Sequence, residues 1–374
     1  MGVIRFVVAG VASVVALAAT LPVLLVGAPF WVVGAITRLV RQVLRRVRPQ
    51  VVAWPELIEF VPEIGWKNRG GQRVRVRGDR GEQTFRVTTD AEGWRGSVSI
   101  DDAEMLVFGD SFAFGHGVDD GDFFAERVAG VRTKALGVNG YNLVQELFWM
   151  ERLGDRLAGK SVVWLVFYGN DLMDNLHPNV RHYRTPFVRA PGDSGEWEIV
   201  TDHVRPEPWP FDPRWGYADK MAELCCSTYH SERAYSAFDF LLGQATERCQ
   251  AVGARLSVLG IPDVTLIDPA ERERLRRRAG DPDTFDPGIP DRRLSESCRN
   301  RGVSFATLSG VVELHDHLAG DCHWNARGHG RVAEVLEKLH RVPAGAAPSP
   351  GDPERIPAEE PAASHDPLAE MRHG

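Results

Sequence analysis

The stretch Leu106-Val107-Phe108-Gly109-Asp110-Ser111-Phe112 is an apolar run that stops at a glycine and passes into two small polar residues. With Met105 it reads as a buried strand running into a tight turn with a serine at its tip. In open α/β sheets ligands bind beyond the carboxyl ends of the strands, so a serine in that place is exposed where chemistry can be done. Alone, Gly-Asp-Ser is a weak signal, because aspartate or serine there would also suit a helix N-cap.

The surrounding sequence repeats the strand-then-helix rhythm. Leu143, Leu147, Met150 and Leu157 mark a helix, and the continuous apolar run Val162 to Tyr168 marks a central strand buried on both faces. A helix through Phe240 to Cys249 precedes a strand from Leu256 to Ile261, and one through Arg292 to Arg299 precedes a strand from Val303 to Leu308. Val332, Val335, Leu336 and Leu339 line one face of a last helix. Strands alternating with helices predict a mostly parallel sheet covered by helices on both faces.

The regions outside this core differ in character. Phe6 to Thr37 is 32 residues without a charge, and about 20 suffice to cross a bilayer as a helix, so residues 1–50 are expected to anchor the chain in a membrane. Arg5 followed by Ala16-Leu17-Ala18 also fits a signal peptide, although apolar sequence continues well past that point. A spanning helix from about residue 4 to 26 would be followed by a second helix starting near Pro29. There Ile36, Leu39, Val40, Val43, Leu44 and Val47 recur at helical spacing opposite Arg38, Arg41, Arg45, Arg46 and Arg48, as in a helix lying on anionic headgroups. Five arginines after the span against one before it favour a cytosolic C-terminal side, whereas an interfacial helix also fits the outer leaflet.

Residues 51–100 read as a β-rich lead-in, with Gln72 to Arg77 and Gln83 to Thr88 flanking the turn Gly78-Asp79-Arg80-Gly81. The main domain is expected over 101–342. Residues 172–236 break its pattern with Pro, Trp, Tyr and Arg, as in a lid-like insert or a packed surface excursion. Residues 343–374 hold seven of the 24 prolines and read as a disordered tail.

Composition removes several classes of function. At 374 residues, 43% hydrophobic and 25% charged, the chain has ample material for a core. The net charge is −7, yet the first fifty residues hold six arginines and no acid, so the folded body is more acidic still and no nucleic-acid partner is expected. Cys225, Cys226, Cys249, Cys298 and Cys322 are too scattered for a disulfide scaffold or a paired zinc motif.

Three further segments carry polar groups that could act on a serine. Gly137-Val138-Asn139-Gly140-Tyr141 offers backbone N–H groups in a glycine-shaped turn, and Tyr168-Gly169-Asn170-Asp171 puts an amide at the end of the buried strand. Such donors aimed at one spot are what a tetrahedral oxyanion requires. Asp321-Cys322-His323-Trp324-Asn325, with Gly328-His329-Gly330 after it, supplies an acid and imidazoles before the last helix. An imidazole near a serine can be its general base, with a carboxylate holding the tautomer. His315, Asp316, His317, Asp321, Cys322 and His323 are also ligand-capable, but no second His or Cys cluster accompanies them and an activated serine needs no metal.

Gly109-Asp110-Ser111, Gly137, Gly169-Asn170-Asp171 and Asp321…His323, in that order over residues 100 to 340, resemble the SGNH, or GDSL, hydrolase superfamily. The string from Gly109 to Val118, with Asp90 to Gly96 upstream, looks like its bacterial membrane-anchored or secreted branch. The resemblance implies a flavodoxin-like three-layer α/β/α sandwich, with Ser111 as nucleophile and first oxyanion donor, Gly137 and Asn170 as the other donors, His323 as base and Asp321 as its acid. No cofactor or metal is implied. The family's most familiar final block sets the acid three residues before the histidine, a place held here by Gly320. Asp316 is therefore a second candidate acid, and His329 a reserve base with a place better suited to capping.

The expected function is a serine esterase acting through an acyl-enzyme on an acyl or acetyl ester of a lipid or glycan. An acyltransferase could use the same residues to pass the acyl group to a glycan hydroxyl. A silent, membrane-tethered binding module is the reading from another class.

Overall fold

The structure, a computed structural model, describes residues 50–78, 83–180, 182–189, 196–208 and 216–341. The proposed membrane helix, the basic helix after it, most of the turn at 78–81 and the tail at 343–374 lie outside these residues. Among the described residues no helix is long and apolar enough to cross a membrane.

Five strands form the central sheet: β6 (Met105–Gly109), β7 (Thr133–Gly137), β8 (Ser161–Phe167), β13 (Arg255–Ile261) and β14 (Ser304–Thr307). Their order is β14-β13-β8-β6-β7 and every pairing is parallel. This doubly wound order reverses direction between β6 and β8, which opens a crevice at their carboxyl ends. The serine follows one of these strands and Asn170 follows the other.

The strands lack alternation because both faces are covered. Leu106, Phe108, Trp164 and Val166 pack toward the helices Leu143–Leu153, Tyr229–Ala251 and Ile289–Asn300. Val107, Val163, Leu165 and Phe167 pack on the other side against Val332, Val335 and Leu336 of the helix Ala326–Arg341. The architecture is thus a three-layer α/β/α sandwich, and burial of each large side chain contributes about 1.5–3 kcal/mol.

Before the sheet, β1 (Val51–Val52), β4 (Arg73–Arg77) and β5 (Thr84–Thr88) make a small sheet in which Val74, Val76, Phe85 and Val87 face inward. They pack on Phe114, just after the serine, so the lead-in belongs to the same compact unit, which starts at Val51. A second hairpin pairs β2 (Ile58–Val61) with β3 (Gly65–Asn68).

The insert contains two further hairpins, β9 (Asn179–Val180) with β10 (Tyr183–Arg184) and β11 (Phe187–Arg189) with β12 (Glu198–Val200). The helix expected from Phe240 begins at Tyr229, capped by Thr228 through the Ser231 amide. Residues 229–236 are therefore the first turns of a core helix, and the irregular segment ends before them. The polar, aromatic composition of this stretch hid the helix, whose buried face includes Ala234, Tyr235 and Phe238.

Candidate active site

The chain turns sharply after Gly109. Asp110 caps the one-turn helix Ser111–Phe114 by accepting the Phe112 amide at 2.9 Å, and Gly115 closes it in the left-handed conformation. The capping reading and the crevice-lining serine are thus one structure, with Asp110 as the cap and the half-buried Ser111 beside it.

On the opposite lip, Asp321 accepts the His323 amide at 3.1 Å and lies 2.6 Å from its Nδ1. An ionised carboxylate only accepts, so Nδ1–H donates to Asp321 Oδ1 and Nε2 is left to accept. Ser111 Oγ stands 2.7 Å from that Nε2, in line for its hydroxyl to donate. The two-residue spacing is enough to seat the acid, because the tight turn also engages the His323 backbone.

Charge sets the state of this pair. Partial burial raises the Asp321 carboxyl, but the hydrogen bond and charge of His323 outweigh it and hold the group well below the usual range. Burial lowers His323, yet negative charge at Cys322 and the bond to Asp321 push it well above an ordinary imidazole. Burial keeps the Cys322 thiol itself above its usual range, so Asp321 is the partner that acts near neutral pH.

Asn170 is buried at the crevice and donates to Asp110 Oδ2 at 3.3 Å, which ties it to the serine turn. Gly137 takes another place. It sits inside β7, where an added Cβ would lie 2.0 Å from the Phe114 amide nitrogen, and its carbonyl accepts from Asn68 Nδ2 at 3.0 Å. It is a close-packing glycine, and the crevice is instead lined by Asn139 and Gly140. Gly140 has φ of +75°, and its own Cβ would meet only Val180 and Trp66 at 3.7 and 3.8 Å. Both glycines lie in the block read from sequence, and only the end of β7 distinguishes their roles.

The other candidates fall away from the crevice. Asp316 forms ion pairs with the guanidinium groups of Arg327 and Arg331, each at 3.0 Å, and anchors the last helix. His329 is buried, stacks on Phe124, and accepts the Phe124 amide at 3.3 Å through Nδ1, so it is neither a base nor a cap. Burial and the nearby charges of Arg95 and Arg127 hold it well below the ordinary range. His317 bonds the Glu313 carbonyl through Nδ1, and His315 is exposed. The histidine-rich stretch therefore disperses.

His116, inside the quoted Gly109–Val118 string, has no role in the sequence reading yet lines the crevice. Its ring lies 4.6 Å from that of His323, and Nδ1 is 3.0 Å from Asn139 Nδ2. His116, Asp321 and His323 bring ligand-capable atoms within 4.8 Å of one another, but hydrogen bonds already engage both nitrogens of His323. The loop carrying His116 is held by the buried Arg95, whose Nη atoms donate to the carbonyls of Phe114, Gly115 and Val118. The outer wall is aromatic, from Trp54 and Trp66 of the lead-in and Tyr183 of the insert.

Beneath the crevice, Asp110, Glu146 and Asp171 are fully buried carboxyls. Burial pushes all three up, and the charge of Asp110 adds to the rise at Glu146 and Asp171. Glu146 accepts the Trp164 indole N–H, and Asp171 accepts the Phe167 amide.

No protein-family model matches the chain, and no curated protein sequence matches it. Among solved structures it is similar to a member of the lipolytic protein G-D-S-L family from Veillonella parvula DSM 2008. The identity is 12% and the TM-score 0.34, with 64% of this chain and 98% of that one covered. It is also similar to TesA, at 15% identity and a TM-score of 0.35, covering 63% and 97% of the two chains. A third is LAE5, an alpha/beta hydrolase enzyme from the metagenome of Lake Arreo, Spain, at 10% identity and a TM-score of 0.35, covering 64% and 94%.

Proposed function

We propose that this chain is a serine ester hydrolase of the SGNH kind, held at a membrane by its N-terminal apolar segment. The observation that carries the reading is the relay from Ser111 Oγ through His323 to Asp321, with contacts of 2.7 and 2.6 Å. A hydroxyl on a neutral imidazole whose other nitrogen is fixed by a carboxylate is an activated nucleophile.

In this reading Ser111 Oγ attacks the ester carbonyl carbon as its proton passes to His323 Nε2. Asp321 stabilises the imidazolium and keeps it oriented. In the same reading the oxyanion is held by the amide N–H groups of Ser111 and Gly140 and by the Asn170 side chain. Gly140 replaces Gly137 in this set because it lines the crevice. His323 then gives its proton to the departing alcohol, and activates the water that frees the acid from the acyl-enzyme.

The crevice beside Ser111, of about 50 Å³, is partly open and runs out to the aromatic wall of Trp54, Trp66 and Tyr183. Turnover of p-nitrophenyl acetate by the full chain, compared with Ser111→Ala, tests the reading. Turnover lost in the variant supports it, and equal rates refute Ser111 as nucleophile.

A further inference from the structure

The small sheet β1-β4-β5 has two faces of opposite chemistry. Val52, Val74, Val76, Phe85 and Val87 point inward and pack with Phe114. By the two-residue period of a strand, Arg73, Arg75 and Arg77 of β4 and Arg86 of β5 fall on the outer side, with Val51 of β1 beside them. Register sets Arg75 directly opposite Arg86, and like charges placed so cost stability. Charges on an edge strand can block association between sheets, but β4 is the middle strand of the three. The neighbouring carboxylates offset only part of this charge. Asp119 pairs with Arg86 at 3.2 Å and feels the charge of Arg75, while Asp120 pairs with the buried Arg95 at 3.0 Å and accepts the Thr88 amide. Arg75 donates through Nε to Thr84 Oγ1 at 2.8 Å, a neutral partner. Arg73 and Arg77 are exposed and have no hydrogen-bond or ion-pair partner among the described residues. A chain that is acidic overall thus turns an arginine face outward here. The sheet is also the part of the described fold that comes first after the apolar run, since thirteen residues, five of them arginine, lie between Thr37 and Val51.

From this we infer that the outer face of the β1-β4-β5 sheet docks on an anionic phospholipid surface, its guanidinium groups on headgroup phosphates. The inference rests on the membrane reading of residues 1–50 for delivery to a bilayer, while the preference for anionic lipid stands on the sheet alone. Guanidinium forks match phosphate oxygens, and a basic patch beside a membrane segment is drawn to anionic lipid. The surfaces also match in shape, because β4 sets its arginines about 7 Å apart along a flat face, as a bilayer sets out its phosphates. On the inner face Phe85 meets His116 of the crevice, with 5.1 Å between ring centroids, so docking places the crevice one packed layer from the headgroups.

The test places the full chain in vesicles of phosphatidylcholine alone, or of equal parts phosphatidylcholine and phosphatidylglycerol, with a quencher on the headgroups. A fluorophore is carried on Gln83→Cys, an exposed residue that leads into β5, and the labelled chain without this substitution gives the background from native cysteines. Quenching should be stronger in the anionic vesicles and weaken as salt is raised. Each guanidinium near an anionic surface favours docking about five-fold, so Arg73→Gln with Arg77→Gln should lower the ratio of docked to undocked chain roughly 25-fold and return quenching to the neutral-lipid level. An unchanged thermal midpoint shows that the fold persists, and Arg299→Gln, exposed on the helix Ile289–Asn300, should leave quenching unaltered. Equal quenching in the two vesicles, an anionic advantage that survives the double substitution, or one that Arg299→Gln removes as well would overturn the proposal. Flotation of the same samples reports the anchor separately. A chain that floats with both vesicles but shows no anionic advantage keeps the anchor and loses the face. One that floats only with anionic vesicles, and no longer after the double substitution, keeps the face and loses the anchor.

Discussion

The lip of the crevice and its floor use the same functional group in opposite ways. At the lip, Asp321 is partly buried, touches His323 and stays ionised well below the usual carboxyl range. On the floor, Glu146 is fully buried, has the Trp164 indole as its donor, and is pushed well above that range. Burial opposes the charge in both places, and only a cationic partner overcomes it. The lip can therefore hold an imidazolium in the proposed reaction, while burial on the floor disfavours the charge of Glu146 and Asp171.

This contrast predicts a graded set of effects. Removing the proposed nucleophile or base, by Ser111→Ala or His323→Ala, should lower kcat by about 10⁴-fold or more, read by steady-state kinetics on p-nitrophenyl acetate. Asp321→Asn should cost roughly 10²- to 10⁴-fold, because the amide no longer fixes the tautomer, whereas Asp316→Asn should act on stability rather than on chemistry. A comparable kcat loss in both variants would erase the distinction between the two acids.

The glycine block gives the next effect. Gly137→Ala forces a Cβ against the Phe114 backbone and should destabilise by about 3 kcal/mol or more in urea unfolding. Gly140→Ala meets no backbone atom within 4 Å but is strained at φ of +75°, so it should fold and lose about ten-fold in kcat/KM. A reversal of the two outcomes would return Gly137 to the oxyanion role.

The pH profile follows from the charge at the lip. His323 must be neutral to accept the serine proton, and its folded value is raised, so kcat/KM should climb with pH and complete its rise above the ordinary imidazole value of 6.5. Asp321→Asn removes the charge that raises it and should move this limb to lower pH. A limb that stays put would mean that Asp321 does not govern the base.

The smallest effect belongs to the floor. A carboxyl whose folded pKa is raised binds a proton that the unfolded chain has released, so stability falls as pH rises above the unfolded value. Glu146→Gln keeps an acceptor for Trp164 and removes that penalty. Unfolding free energies from urea titration should differ by under about 1 kcal/mol at pH near 4 and favour the glutamine increasingly toward pH 8.

The fold was legible because buried parallel strands are written as unbroken apolar runs, and β6 and β8 lie where Met105 to Phe108 and Val162 to Tyr168 indicate. The long helix from Tyr229 was hidden at its start, since its first turns expose polar residues while burying Ala234 and Phe238. At the site, Ser111 and Asn170 could be singled out because each lies in a short motif at a strand end, and Asp321 and His323 because they share one just ahead of the last helix. Gly140 and Gly137 could not be told apart, for their roles depend on where β7 stops and on the approach of Phe114. His116, Trp54, Trp66 and Tyr183 meet only through tertiary packing, with no local pattern to announce them.

The central claim is that Ser111 is a nucleophile primed by His323, and peptide mapping of the full chain after treatment with a fluorophosphonate probe tests it most directly. The account predicts one adduct, on the peptide holding Ser111, formed faster as pH rises through the His323 limb and lost in His323→Ala. An adduct on another residue, or a folded chain that stays unlabelled, would contradict it.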